Sequence, residues 1–451
     1  MEQIISEYQL LAAVFIGISV LLVLILRFKV QAFLSLLIAS IVVGIIAGMN
    51  PNDIIVTMKN GMASTLGTVA TIVGLGAMFG AILESSGGAQ TLANFLLKKF
   101  GEKNASWALM LTGFFVAIPV FFDVAFIILI PLLYSLQRRT KKSLLLYAIP
   151  LLAGLAITHS FIPPTPGPVA VADILKADLG WVILVGFIVG IPTAIVSGPL
   201  FAKYISQKIH IDAPELISEK GENKSFPSVG SIVTIIGVPI VLIVVNTILA
   251  TVQTTEGDVL HTIKPWLKMI GHPFSALIIA NLLAWYFLGI RRGFTKEALS
   301  KITSKSMQPA GIIILLTGAG GVFKQVLIDT SIGQMLADKI ASSGISLILL
   351  SFVIAALVRI LQGSATVAMI TAAGVVAPLM ASSLAGIDKA FLVISIAAGA
   401  SILSHVNDSG FWLVSKYVGL DEKQTFRSWT VMTVLLSLTG FTTVFLLSLF
   451  F

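Results

Sequence analysis

The chain has no cysteine among its 451 residues. That excludes disulfides, cysteine-ligated zinc, iron–sulfur clusters and a cysteine nucleophile. It has no His-Glu-x-x-His metal motif, and His405 and Asp408 lack a third clustered ligand, so an intramembrane metalloenzyme has no foundation here. No metal site and no cofactor are expected. Charge is also scarce, at 11% of residues, whereas 57% are hydrophobic and the mean hydropathy is +1.00. Such a composition belongs to a polytopic membrane protein. The formal net charge of +8 is then a matter of orientation, because Lys and Arg collect in cytoplasmic loops; it does not indicate nucleic acid. Met1-Glu2-Gln3 begins acidic and the first apolar run is too long for a signal core, so Tyr8 to Leu26 reads as the first span and not as a cleaved leader.

The most informative stretch is Thr158-His-Ser-Phe-Ile-Pro-Pro-Thr-Pro-Gly-Pro168, flanked by apolar runs on both sides. Four prolines and a glycine cannot continue a helix. A helix that breaks inside a bilayer frees backbone groups that lipid cannot satisfy, so the break must be buried in protein or line a wet cavity. A broken helix from 144 to 176 carrying Thr158, His159, Ser160, Thr165 and Gly167 is therefore a binding-site candidate.

Further spans are expected at Val30 to Met49, Thr68 to Leu83, Trp181 to Phe201, Ser231 to Ala250, Pro273 to Ile290, Gly311 to Ile328 and Trp429 to Phe450. Ile54 to Leu66 reads as an interfacial helix, Gly87 to Lys103 as a surface helix and Thr251 to Gly271 as a polar loop. The apolar runs within 107–134 are each too short to cross and meet at Pro119 and Asp123. Basic groups on both sides of the pair favour a re-entrant hairpin over one kinked span. A second short pair covers 345–380, with its tip at Arg359 to Thr366, and a second broken helix covers 391–417, interrupted from Ser404 to Gly410. The long polar connection at 203–230 reads as a cytoplasmic linker between 1–202 and 231–451.

These two parts resemble each other. Gly76-Ala-Met-Phe79 with Leu83, Leu92 and Ala93 matches Gly320-Gly-Val-Phe323 with Leu327, Leu336 and Ala337, an offset of 244 (323 − 79) that also carries Ser160 onto Ser404. Five spans and one hairpin per half is an odd number of crossings, so the second half is inverted. With Arg27 and Lys29 inside, the basic groups at 98–103, 138–142, 203–224, 291–305 and 416–427 all fall inside. Hairpin one then enters from the cytoplasm. Hairpin two, with its sparsely charged loops at Ala341 to Ser346 and Ala381 to Lys389, enters from outside, and both termini lie outside. The expected fold is an all-α polytopic membrane protein: two inverted-topology repeats, each about five transmembrane helices plus one re-entrant hairpin, with broken helices at mid-membrane, as in secondary transporters.

Both tips and both breaks should converge, bringing together Phe122 and Asp123, Thr158 to Gly167, Gly363, Ser364 and Thr366, and Ser404, His405, Asn407, Asp408 and Ser409. Helix ends at such sites suit an anion and the hydroxyls suit a polyhydroxylated ligand, which together describe a small hydrophilic organic anion. An acid inside a bilayer is costly to ionise, which makes Asp123 and Asp408 candidates for proton carriage. Asp123 can equally cap a helix at the hairpin tip, and Asp408 can close the break as an Asx-turn. His159 and His405 can titrate, and His159 joins Asp123 and Asp408 as a proton-coupling candidate. Arg359 either anchors a carboxylate or extends its head to the outer surface. Glu84 and Lys324 read as interfacial. Sodium coupling stays open, since hydroxyls and carbonyls at the breaks can hold Na⁺.

Phe121-Phe-Asp-Val-Ala-Phe126, His159-Ser-Phe-Ile-Pro-Pro-Thr-Pro-Gly-Pro168, Gly363-Ser-Ala-Thr-Val367 and Ser404-His-Val-Asn-Asp-Ser-Gly-Phe-Trp412 resemble the gluconate permease (gluconate:H⁺ symporter, GntP-type) family of the ion transporter superfamily. The resemblance covers essentially the whole chain. It implies proton-coupled uptake of gluconate or a related sugar acid across the bacterial cytoplasmic (inner) membrane, by an elevator-like movement and with a homodimer as the superfamily's habit. Many members carry His where this chain has Thr165 and Glu where it has Asp123. The family also includes transporters of D-serine and other hydroxy acids, which remain the alternative substrates.

Overall fold

The computed structural model describes residues 7–214, 226–252, 259–332, 335, 346–380 and 384–450. The centre of the expected linker (215–225), Leu336 and Ala337 of the repeat, and residues 341–345 and 381–383 of the two sparsely charged loops lie outside the described residues.

Helices α1 (Glu7–Leu26) and α2 (Ala32–Ile46) form the first pair. Next, α3 (Pro51–Ser85) runs unbroken for 35 residues. The expected interfacial helix over 54–66 and the span after it are thus one element. Asn50 caps it by accepting the Asn52 N–H at 3.1 Å, Pro51 occupies the first helical position, and no further proline interrupts it before the left-handed Gly87 (φ 78°). At ~1.5 Å per residue α3 is about 52 Å long, more than the ~30 Å hydrocarbon layer, so it continues beyond the layer or tilts within it. The remaining elements are α4 (Gly88–Phe100), α5 (Ala105–Val116), α6 (Phe122–Thr140), α7 (Leu145–Phe161), α8 (Pro166–Leu175), α9 (Leu179–Ile195), α10 (Phe201–Lys208), α11 (Val229–Thr251), α12 (Val259–Gly271), α13 (Pro273–Leu283), α14 (Lys296–Asp329), α15 (Leu347–Gln362), α16 (Ala365–Val376), α17 (Gly386–Ala400), α18 (Ser409–Val418), α19 (Glu422–Thr425) and α20 (Val431–Leu447). Wide turns at Val196–Leu200, Ala284–Gly289 and Phe426–Thr430 extend α9 into α10, continue α13, and join α19 to α20. Among the described residues, eight helical stretches are long and apolar enough to cross a membrane and no strand occurs.

Part of the expected polar loop at 251–271 is helix α12, whose Leu, Ile and Trp residues share one face although its Lys and His residues make it read as polar. α14 is the counterpart of α3 and, like it, absorbs a short polar segment before its apolar run.

Glycines set the closest approaches. α3 and α14 make the most extensive helix contact in the molecule. A Cβ on Gly61 would lie 2.7 Å from the Gly321 carbonyl oxygen, and one on Gly321 would lie 2.8 Å from the Gly61 oxygen. Gly74 meets Met307 instead, so the pair runs antiparallel. Each hairpin is fastened to its broken helix in the same manner. A Cβ on Gly154 of α7 would sit 2.2 Å from the Met110 oxygen of α5, and a Cβ on Gly399 of α17 would sit 2.4 Å from the Phe352 oxygen of α15. These pairs are offset by 245 (154 to 399) and 242 (110 to 352) positions, so the internal repeat seen in the sequence recurs in the packing.

Candidate substrate cavity

Both breaks form where backbone donors are missing or side chains take over. α7 continues through Thr158, His159 and Ser160 and ends at Phe161, so these three residues form its last turn rather than the break itself. Pro163, Pro164, Pro166 and Pro168 supply no N–H, and Pro166 restarts the chain as the first residue of α8. In the second break, Asp408 caps α18 by accepting the Gly410 N–H at 3.1 Å, as an Asx-turn would. At the second tip, Gly363 is left-handed (φ 90°) and a Cβ there would lie 2.3 Å from the Asn407 oxygen, so only glycine lets the tip close on the break. Ser364 caps α16, and Gln362 Oε1 accepts the Ser364 N–H at 2.8 Å. The first tip differs from expectation. Its cap position is Phe121, so Asp123 lies one residue inside α6 and does not cap it.

The two tips and the second break meet with the end of α7 around a cavity of about 560 Å³. Phe122, Asp123, His159, Ser160, Gly363, Ser364, Thr366, Asn407, Asp408 and Ser409 line it. Three helix starts open onto it, those of α6, α16 and α18, and each brings the partial positive charge of its first turn to the cavity. Arg359 lines the same space. It is 4% exposed, its Nη2 donates to Asp408 Oδ2 at 2.5 Å, and its Nη1 donates to the Gly363 carbonyl. Its head is therefore held inside the protein and does not reach an outer surface. Asp408 also accepts from Ser404 Oγ, which leaves Asp123 as the cavity's unpaired acid among the described residues.

The other sequence candidates stand elsewhere. Thr158 is fully buried and donates to the Phe114 oxygen at 2.8 Å, tying α7 to hairpin one. Thr165 donates to the Ile162 oxygen at 2.6 Å and borders a separate small cavity of about 10 Å³ behind His159. Gly167 packs toward Met369, with a Cβ position 2.8 Å from its sulfur. Ser404 is fully buried: its Oγ accepts Trp429 Nε1–H at 2.6 Å and its N–H donates to Thr433 Oγ1 at 3.0 Å. His405 Nε2 stands 2.9 Å from the Ile360 oxygen and Asn407 Nδ2 donates to the same oxygen at 3.0 Å, so both brace the second tip. His159 Nδ1 is buried without a hydrogen-bond partner among the described residues. Ser401, Gln362, Trp429 and Thr433 also line the cavity although no sequence pattern singled them out. The ring of Trp429, at the start of the last expected span, packs 5.7 Å from that of Phe122. No group of three or more His, Cys, Asp or Glu that could hold a metal occurs among the described residues.

The model of the GntP family permeases matches residues 9–450. A protein named gluconate permease from Pseudomonas aeruginosa is 40% identical over 448 residues, covering 98% of each chain. A protein named low-affinity gluconate transporter from Escherichia coli K12 is 42% identical over 427 residues, covering 94% of this chain and 95% of its own. In fold, the chain is similar to the YdaH transporter of Alcanivorax borkumensis, with a TM-score of 0.63 at 15% identity over 87% of this chain and 88% of that one. The chain belongs to the GntP permease family, a family of membrane transporters and not of enzymes.

Proposed function

We propose that the protein takes up gluconate or a related sugar acid together with a proton, across the cytoplasmic membrane of a bacterium. The observation that carries this reading is the convergence of three helix starts and Arg359 on one hydroxyl-lined cavity. Helix starts favour a carboxylate, and Ser160, Ser364, Thr366, Ser409 and Asn407 offer partners to a chain of hydroxyls. The names of the relatives point to the same ligand.

Charge balance in the cavity supports proton coupling. Arg359 is already matched by Asp408, so an ionised Asp123 would repel an incoming carboxylate within the same low-dielectric space. A protonated Asp123 would not. Substrate and proton then enter together and leave together. Alternating exposure comes from an elevator-like movement of the tips and breaks against the α3–α14 crossing. The distribution of basic loops supports an orientation with both termini outside.

The test is uptake of radiolabelled gluconate into proteoliposomes under an inward proton gradient, without and then with sodium. Accumulation that collapses with a protonophore and ignores sodium is the expected result. Absent uptake by folded protein would reject gluconate and move the search to D-serine or another hydroxy acid. A requirement for sodium would reject the proton.

A further inference from the structure

A second large cavity, of about 460 Å³, lies on the other side of the second hairpin tip. Gln362 and Asn407 border both cavities. The chemistry of its walls is different. Ile25 of α1, Phe33 of α2 and Ile312, Leu315 and Leu316 of α14 make one apolar side. Ile312 and Leu315 are 62% and 49% exposed, so this side faces the lipid region and not a closed aqueous chamber. Lys29 and Gln31 stand at its rim, in the short connection between α1 and α2. Two apolar helices joined by so few residues place that connection at headgroup depth, where basic side chains meet phosphate. Lys29 is exposed and forms no ion pair among the described residues, Arg27 beside it is exposed as well, and Gln31 does not use its side chain to cap α2.

We propose that this crevice binds one anionic phospholipid, with its phosphate on Lys29 and an acyl chain along Phe33, Ile312 and Leu315, and that the bound lipid supports the second hairpin tip through Gln362. The shared chemistry is an oxyanion beside an ammonium, which a soluble carboxylate also offers. The apolar wall decides between them. A lipid-facing aliphatic wall is matched by an acyl chain through close packing, whereas a hydrated polyol would lose its water against it without gaining a hydrogen bond. The lipid site itself is independent of the substrate; only its effect on transport rests on the gluconate reading.

The experiment has two arms. In the first, wild type and Lys29→Gln are purified from membranes containing phosphatidylglycerol and weighed intact by native mass spectrometry. Wild type should retain one phosphatidylglycerol per chain and Lys29→Gln should lose it. Equal retention by both proteins would overturn the site. Release of the retained lipid by added gluconate alone would assign the crevice to the soluble anion and overturn it as well. In the second arm, gluconate uptake is compared in phosphatidylcholine vesicles with and without phosphatidylglycerol. Wild-type uptake should rise several-fold with the anionic lipid and Lys29→Gln should not respond; the same response in both would refute the support of the tip. If neither protein transports gluconate while retention still depends on Lys29, the substrate reading has failed and the lipid site stands.

Discussion

Arg359 Nη2 lies 2.5 Å from Asp408 Oδ2, joining the second hairpin to the second broken helix across the wall of the cavity. The two side chains are 5% and 13% exposed, so neither charge can be left alone without cost. Removing one partner of a buried pair typically costs ~3–5 kcal/mol, because the survivor stays uncompensated. Arg359→Gln should therefore lower thermal stability markedly and abolish uptake. The double variant Arg359→Gln/Asp408→Asn should recover most of the stability and none of the uptake. Full recovery of uptake in the double variant would show that the pair is a brace and nothing more.

Asp123 faces the same cavity without a partner cation among the described residues. Asp123→Asn is expected to fold, because the residue neither caps α6 nor forms a hydrogen bond with another described residue, and to lose proton-driven accumulation. Exchange of labelled for unlabelled gluconate across the vesicle, which needs no net proton movement, should persist. Uphill uptake at the wild-type level would remove Asp123 from the mechanism.

Thr158 and Ser404 separate structural from binding effects. From sequence, alanine at either position would be expected to weaken apparent affinity. Thr158 instead holds the Phe114 carbonyl and does not line the cavity, so Thr158→Ala should cost about 1 kcal/mol of stability with KM unchanged. Ser404→Ala removes a partner of both Asp408 and Trp429, so it should shift KM as well as the melting temperature. Parallel measurements of KM and thermal midpoint on both variants check this division.

The glycine contacts predict where bulk is forbidden. Gly113→Val places its Cβ at a position 2.3 Å from the Leu151 oxygen and should leave little folded protein in detergent, because backbone on both sides cannot yield. Gly311→Ala, which meets nothing within 4 Å, should be neutral or stabilise α14 by up to ~1 kcal/mol through helix propensity. Size-exclusion profiles of the two variants provide the comparison.

Much of this was legible in the chain. The apolar runs, the proline cluster and the Gly363-Ser364 tip locate the spans, the first break and the second hairpin. The repeat offset of 244 announces the pairing later seen between Gly154 and α5 and between Gly399 and α15. Boundaries were harder. Nothing in Ile54 to Leu66 says that α3 continues through it, since an amphipathic stretch looks the same on a membrane surface and inside a long helix packed against α14. α12 was hidden for a related reason: its polar residues share one face, and composition alone averages the faces away.

The sequence by itself determined that the chain is a cysteine-free, helical membrane protein with paired hairpins and breaks, because hydropathy, proline and glycine act locally and carry their meaning wherever the chain goes. Only the tertiary structure decided which polar residues face the ligand. Asp123, His159 and Ser160 open onto the cavity, whereas Thr158, Thr165, Ser404 and His405 spend their hydrogen bonds on carbonyls and side chains around it. Residues one position apart on a helix point about 100° from each other, and which direction meets the cavity depends on helices hundreds of residues away, so no local pattern can encode it.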